Sequence, residues 1–103
     1  MIRRVVAVKF KEGTSPEQVQ EYVETVRKFP GQVSAIVHLT TGPHVSDGDD
    51  SVAFSHVSLF DFEALEGVRA FLTHPAHLAA AHGLFRQIIG QRVVVNYELH
   101  SDG

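Results

Sequence analysis

The order of strand-like and helix-like patterns limits this 103-residue chain to few folds. Strand patterns are rich in valine or alternate apolar with polar residues, whereas helical patterns repeat apolar residues every three or four positions. The patterns predict strands over residues 2–10, 33–41, 51–60 and 92–99, with one helical region after the first strand and another after the third. The order is therefore strand, helix, strand, strand, helix, strand.

Local signals predict where the helices begin and end. Ser15, Pro16 and Gln18 form a capping box that opens the first helix, and Phe29-Pro30-Gly31 closes it. Asp61 is the expected cap of the second helical region, which is interrupted at residues 73–75, continues to about residue 89 and stops at Gly90.

This order predicts an α+β, ferredoxin-like domain over residues 1–103, with one four-stranded antiparallel sheet and helices on one face. Apolar residues occupy both alternating sets of the third strand, and Val93, Val95 and Tyr97 share one face of the fourth. The sheet face without helices therefore also requires burial, and we expect it to pair with a second copy in a homodimer.

Composition excludes several classes of protein. A net charge of -3 argues against nucleic-acid and anionic-membrane partners, and 44% hydrophobic residues favour a globular domain. The absence of cysteine excludes disulfides and thiolate chemistry, and no leader or membrane-span pattern is present, so we expect a cytoplasmic location.

The segment Thr73-His74-Pro75-Ala76-His77 brings two histidines to a helix start. Pro75 suits the first helical position and makes His74 the cap, while His77 falls in the first turn. Helical projection places His77 within an apolar arc, where burial and the helix dipole favour a neutral imidazole that could act as a base. The alternative is a core histidine that bonds a neighbour. The other members of the arc are Leu78, Ala81, Leu84, Phe85, Ile88 and Ile89.

His56 lies on the strand face that also carries Phe54 and Phe60, so His56 and His77 could line one apolar pocket. There His77 would abstract a proton beside a carbonyl, and His56 or Arg4 would stabilise the enolate oxygen. The alternative is that Arg4 lies in solvent or at a subunit rim, as a strand-end arginine more commonly does.

Metal and cofactor sites are not predicted. His74, His77 and His82 lack the spacing of zinc-binding helices, and a haem ligated by a single interior histidine has no second supporting feature. The acidic loop with Asp47 lacks the spacing of a calcium loop.

With these motifs in place, the chain resembles the stress-responsive A/B barrel (Dabb) family, whose subunits pair into a dimeric α+β barrel. The specific element is the HPxH motif of residues 74–77, and supporting matches are residues 8–11, 15–18, 42, 45–46, 56, 71–73 and 94–97. One branch, a plant polyketide cyclase, uses the second HPxH histidine as its base, with a tyrosine six residues earlier and histidines on the first and third strands. Here His77 and His56 match that pattern, whereas Phe71 replaces the tyrosine and Arg4 replaces the first-strand histidine.

We therefore expect a pocket with His77 and His56 as catalytic residues and Arg4, Phe54, Phe71 and His74 as ligand-binding residues, without a cofactor. The predicted function is binding of, or proton-transfer chemistry on, a small apolar carbonyl compound. The alternative is a non-catalytic stress-related or assembly module whose histidines are structural.

Overall fold

The computed structural model describes residues 1–48 and 54–100, and its elements follow the predicted order. The second helical region is divided into three short helices. The elements are β1 (Ile2–Phe10), α1 (Pro16–Gln32), β2 (Ile36–Pro43), β3 (His56–Phe62), α2 (Leu65–Thr73), α3 (Pro75–His82), α4 (Leu84–Ile88) and β4 (Ile89–Glu98).

The four strands form one antiparallel sheet in the order β2-β3-β1-β4, which confirms the predicted ferredoxin-like fold. In the register of the central strands, Arg4 lies opposite Phe60 on β3 and Asn96 on β4. These three residues share the face that the helices cover, because directly opposed residues point to the same side of a sheet.

Helix α1 begins as predicted and ends later than predicted. Ser15 Oγ accepts a hydrogen bond from the Gln18 backbone N–H at 3.1 Å, and Gln18 Oε1 accepts one from the Ser15 N–H at 2.9 Å. The predicted stop at Phe29-Pro30-Gly31 is wrong, because the helix continues to Gln32. A proline near the end of a helix removes only one backbone hydrogen bond. The buried side chains of Phe29 and Val33 pack this last turn against the core. Strand β2 consequently begins at Ile36.

Strand β3 is longer at its C-terminal end than the sequence indicates. Asp61 was expected to cap a helix, but it lies in β3 and accepts two hydrogen bonds from Arg3, at 2.8 and 3.0 Å. This ion pair and the complete burial of Phe62 extend the strand, so α2 starts at Leu65 without a side-chain cap. Residues 51–53, the predicted beginning of the strand, lie outside the described residues.

The predicted continuous helix after Pro75 is broken at Gly83. A Cβ atom built on Gly83 would lie 2.9 Å from the Ala79 carbonyl oxygen, so this close approach requires glycine. The predicted arc also differs within α3, where Leu78 is 41% exposed and Ala80 is buried in place of Ala81. Strand β4 then begins at Ile89, and Gly90 lies within it.

The core lies between the helices and the sheet and is rich in aromatic rings. Phe29 is at its centre, with ring centroids 5.1 Å from Phe71 and 6.2 Å from Phe85. On the other face of the sheet, apolar side chains are exposed; they are Val57, Val93, Val95 and Tyr97. This division confirms the predicted alternation along β3 and β4.

Within the described parts of the chain, no helix is both long and apolar enough to cross a membrane.

Candidate functional site

A cavity of about 40 Å³ lies between the helices and the β1–β4 half of the sheet. Its wall is largely aromatic and aliphatic, with four side chains that carry polar groups. The polar members are Arg4, Tyr22, His77 and Arg92, and the aromatic members include Phe29, Phe60, Phe71 and Phe85. Apolar walls that surround a few polar groups are typical of small-ligand sites.

The start of α3 places His77 on this wall. Pro75 occupies the first turn, and His74 caps the helix as predicted, with its Nδ1 accepting a hydrogen bond from the Ala76 N–H at 3.0 Å. His77, half-buried, then turns towards the core, where its ring centroid is 4.6 Å from that of Phe71.

The hydrogen bond of His77 determines which ring nitrogen is available. Its Nδ1 lies 3.2 Å from the Leu72 carbonyl oxygen, which can only accept, so Nδ1 carries the proton. Burial lowers the pKa of His77; the Leu72 bond opposes this shift, and the charges of Arg4 and Arg92 add to it. The neutral ring therefore keeps a free electron pair on Nε2, which is the requirement for a general base.

Arg4 is buried, in contrast to the common case for a strand-end arginine. It is 8% exposed, and its Nη1 donates to Asn96 Oδ1 at 3.3 Å. Burial and the nearby charge of Arg92 lower the pKa of Arg4 from its usual value. The guanidinium thus supplies a cation at the cavity wall, close enough to influence His77.

The cavity does not include three residues that the sequence assigned to the site. His56 is 4% exposed, but its Nε2 lies 2.7 Å from Thr41 Oγ1, and Tyr22 packs edge-on against its ring and forms the cavity wall there. Phe54 precedes β3 and does not reach the cavity lining, and the His74 ring is engaged in capping α3. Of the predicted residues, the structure brings together Arg4, Phe71 and His77.

His56 instead belongs to a buried polar network next to the cavity. Thr41 Oγ1 lies 2.8 Å from Ser58 Oγ as well as 2.7 Å from His56 Nε2, and Ser58 interacts with the Tyr22 hydroxyl. Burial lowers the pKa of His56 and raises that of Tyr22 to about 12, so both groups are neutral at ordinary pH.

Sequence reasoning missed two polar residues of the cavity wall, Tyr22 and Arg92. Tyr22 is buried on the core-facing side of α1, where a tyrosine brings a hydroxyl into an otherwise apolar core. The alternation of β4 could have identified Arg92. Because Val93 and Val95 face away from the helices, Arg92 and Val94 face towards them.

Among residues 1–48 and 54–100, no group of three or more histidine, cysteine or acidic side chains is arranged to hold a metal ion.

The sequence profile described as the stress responsive A/B barrel domain (Dabb) matches residues 2–99. The chain belongs to this family. A Dabb relative, the stress-response A/B barrel domain-containing protein HS1 of Arabidopsis thaliana, is 25% identical over 97 residues, which cover 94% of this chain and 88% of that protein.

Two enzymes are also similar to this Dabb chain. Olivetolic acid cyclase of Cannabis sativa is 22% identical over 77 residues, covering 75% of this chain and 76% of the cyclase. The solved structure of hydroxynitrile lyase from Passiflora edulis superposes with a TM-score of 0.88 at 18% identity, covering 99% of this chain and 95% of the lyase. Further solved structures with this fold, at TM-scores of 0.81, 0.75 and 0.78, are described as dimeric proteins.

Proposed function

We propose that this Dabb protein binds a small carbonyl compound in the cavity and catalyses proton transfer at the carbon next to the carbonyl group. The observation that carries the proposal is the cavity itself, because it adjoins a histidine that the Leu72 carbonyl holds in the Nδ1–H form. A filled core at this position would have left the imidazole without access to a substrate.

The proposed step uses two side chains of the wall. Nε2 of His77 accepts a proton from the α-carbon, and the electron pair of the broken C–H bond forms a C=C bond while the carbonyl oxygen becomes an enolate. The Arg4 guanidinium stabilises that oxygen through charge-assisted hydrogen bonds. Return of the proton from His77 to carbon regenerates the ketone and the neutral base.

The similarity to a cyclase and a lyase supports small-molecule chemistry on this fold. The tyrosine expected from the cyclase branch is Phe71 here, and Phe71 lines the cavity without a hydroxyl group. In the proposal, the cation of Arg4 therefore supplies the electrophilic assistance for the carbonyl.

A second candidate is a non-catalytic module with structural histidines. It is favoured by the contacts of His77, whose Nδ1 bonds Leu72 and whose ring packs on Phe71. The two candidates differ in whether Nε2 of His77 ever meets a substrate.

Deuterium exchange separates the two candidates. In D₂O, the wild-type protein should accelerate exchange of the α-protons of a small ketone, measured by proton NMR, and His77→Gln should reduce the rate to that of the buffer. His38→Gln, at an exposed histidine of β2, is the matched control and should exchange like wild type. Equal rates for wild type and His77→Gln across a panel of small ketones would favour the structural module.

We also propose that the protein is a homodimer that pairs through the sheet face opposite the helices. The exposed Val57, Val93, Val95 and Tyr97 side chains form an apolar surface there, and dimeric relatives with this fold support the pairing. Sedimentation should show a dimer at micromolar concentration for wild type and a monomer for Val95→Lys; a wild-type monomer would contradict the proposal.

A further inference from the structure

Arg4 carries a charge that the described residues leave uncompensated. Its side chain is 8% exposed, and its hydrogen-bond partner is the neutral amide of Asn96, at 3.3 Å. No acidic side chain in residues 1–48 or 54–100 pairs with it. A buried cation normally has an anionic partner, because removing an unpaired charge from water is costly.

A second cation faces the same space. Arg92 lines the cavity and also lines an adjoining surface groove of about 400 Å³, to which Arg86 contributes. Among the described residues that line the cavity and the groove, none is an aspartate or glutamate. The repulsion between Arg4 and Arg92, which helps to lower the pKa of Arg4, is relieved when an anion enters between them.

We propose that the ligand of this cavity carries a carboxylate, which is bound by Arg92 and by those N–H donors of Arg4 that do not face the ketone oxygen. The inference rests on the proposed function in taking the cavity as the ligand site, and it narrows the substrate class to keto acids with a small apolar body. A guanidinium presents parallel N–H donors that match the two oxygens of a carboxylate.

The experiment compares levulinate with methyl levulinate, which have the same ketone and differ in charge. Binding is measured by NMR titration, and α-proton exchange in D₂O is measured in the same samples. We expect wild type to bind levulinate at least about tenfold more tightly than the ester, which is the scale of one charge-assisted hydrogen bond. Arg4→Met should abolish this preference, and Arg92→Met should reduce it.

Arg69→Met is the matched control, because Arg69 is an exposed arginine on α2 that does not line the cavity. It should keep the wild-type preference for levulinate. Equal binding of acid and ester by wild type, or no levulinate binding at millimolar concentrations, would overturn the carboxylate assignment. Inorganic phosphate that displaces levulinate at equal concentration would also overturn it, by showing a general anion site.

The outcome distinguishes this inference from the proposed chemistry. Levulinate binding that requires Arg4 without any exchange dependent on His77 would support the carboxylate site and contradict the proton transfer. Exchange of both compounds at equal rates would support the proton transfer and contradict the carboxylate site.

The melting temperature of Arg4→Met gives a readout that needs no ligand. If Arg4 serves to bind an anionic ligand, its buried and unpaired charge destabilises the protein when no ligand is bound. The methionine variant should therefore melt at the same or a higher temperature than wild type. A large decrease in melting temperature would show that Arg4 is structural and would overturn the inference.

Discussion

Two neighbouring arginines of β1 lie on opposite faces of the sheet and have different hydrogen-bond partners. Arg3, on the face without helices, makes a two-pronged ion pair with Asp61 at 2.8 and 3.0 Å. Arg4, one residue later on the helix-covered face, is more deeply buried and has only an amide partner. The fold thus provides a carboxylate partner for Arg3 and only a neutral amide for Arg4, which supports our proposal that Arg4 binds an anionic ligand.

The largest effect we expect concerns the two histidines of the core between the helices and the sheet, which are the buried His56 and the half-buried His77. His56→Ala should destabilise the protein by roughly 2 to 4 kcal/mol, because it breaks the bond to Thr41 and leaves a sealed void. His77→Ala should cost less than about 1 kcal/mol, because the half-buried His77 already borders a cavity. Urea unfolding measures both, and equal large losses would identify His77 as a core residue.

The ion pair on the other face should contribute less. Asp61→Asn removes the charge that holds Arg3, and we expect a loss of about 1 to 2 kcal/mol because the pair is only partly buried. Glu66→Gln, at an exposed acid of α2, serves as the control and should change the free energy of unfolding by less than about 0.5 kcal/mol. If Asp61→Asn does not change the free energy of unfolding, the ion pair does not stabilise the protein, and the contrast between a paired Arg3 and an unpaired Arg4 has no energetic basis.

As the pH falls, the core histidines should lose their contribution to the free energy of unfolding before Asp61 on the other face does. Burial lowers the folded-state pKa values of His56 and His77, so the unfolded chain binds more protons once the pH falls below about 6.5, and stability decreases there. Arg3 lowers the pKa of Asp61, so its contribution is lost only below about pH 3.9.

Urea midpoints measured across this range test the order. Replacing both His56 and His77 by glutamine should flatten the decrease between about pH 6.5 and 5. A wild-type midpoint that does not change in this range would contradict the burial of neutral imidazoles.

The sequence predicted those features of the fold that depend on residues close to one another along the chain. The capping box at Ser15 and the alternation of β3 and β4 were confirmed, and so was the His74 cap. The extension of β3 through Asp61 was missed because its partner, Arg3, lies 58 residues away along the chain. The break at Gly83 was missed because it depends on a backbone approach to Ala79 that no pattern of apolar residues reveals.

The candidate site was predicted only in part, because some of its contacts join residues that lie far apart in the sequence. The orientation of His77 follows from the helix start at Pro75, and the structure places it at the cavity. The separation of His56 from that cavity depends on Tyr22, which α1 brings across β3. The burial of Arg4 depends on the helices that cover its face of the sheet, so it could not be read from β1 alone.

The central claim, that Arg4 is held unpaired for an anionic ligand, is tested most directly by Asn96→Asp. This substitution places a carboxylate at the position whose Oδ1 lies 3.3 Å from Arg4 Nη1 and so gives Arg4 the kind of partner that Arg3 already has. The account predicts that the variant melts at a higher temperature than wild type and no longer prefers levulinate to methyl levulinate. An unchanged or lower melting temperature together with an unchanged preference for levulinate would contradict it.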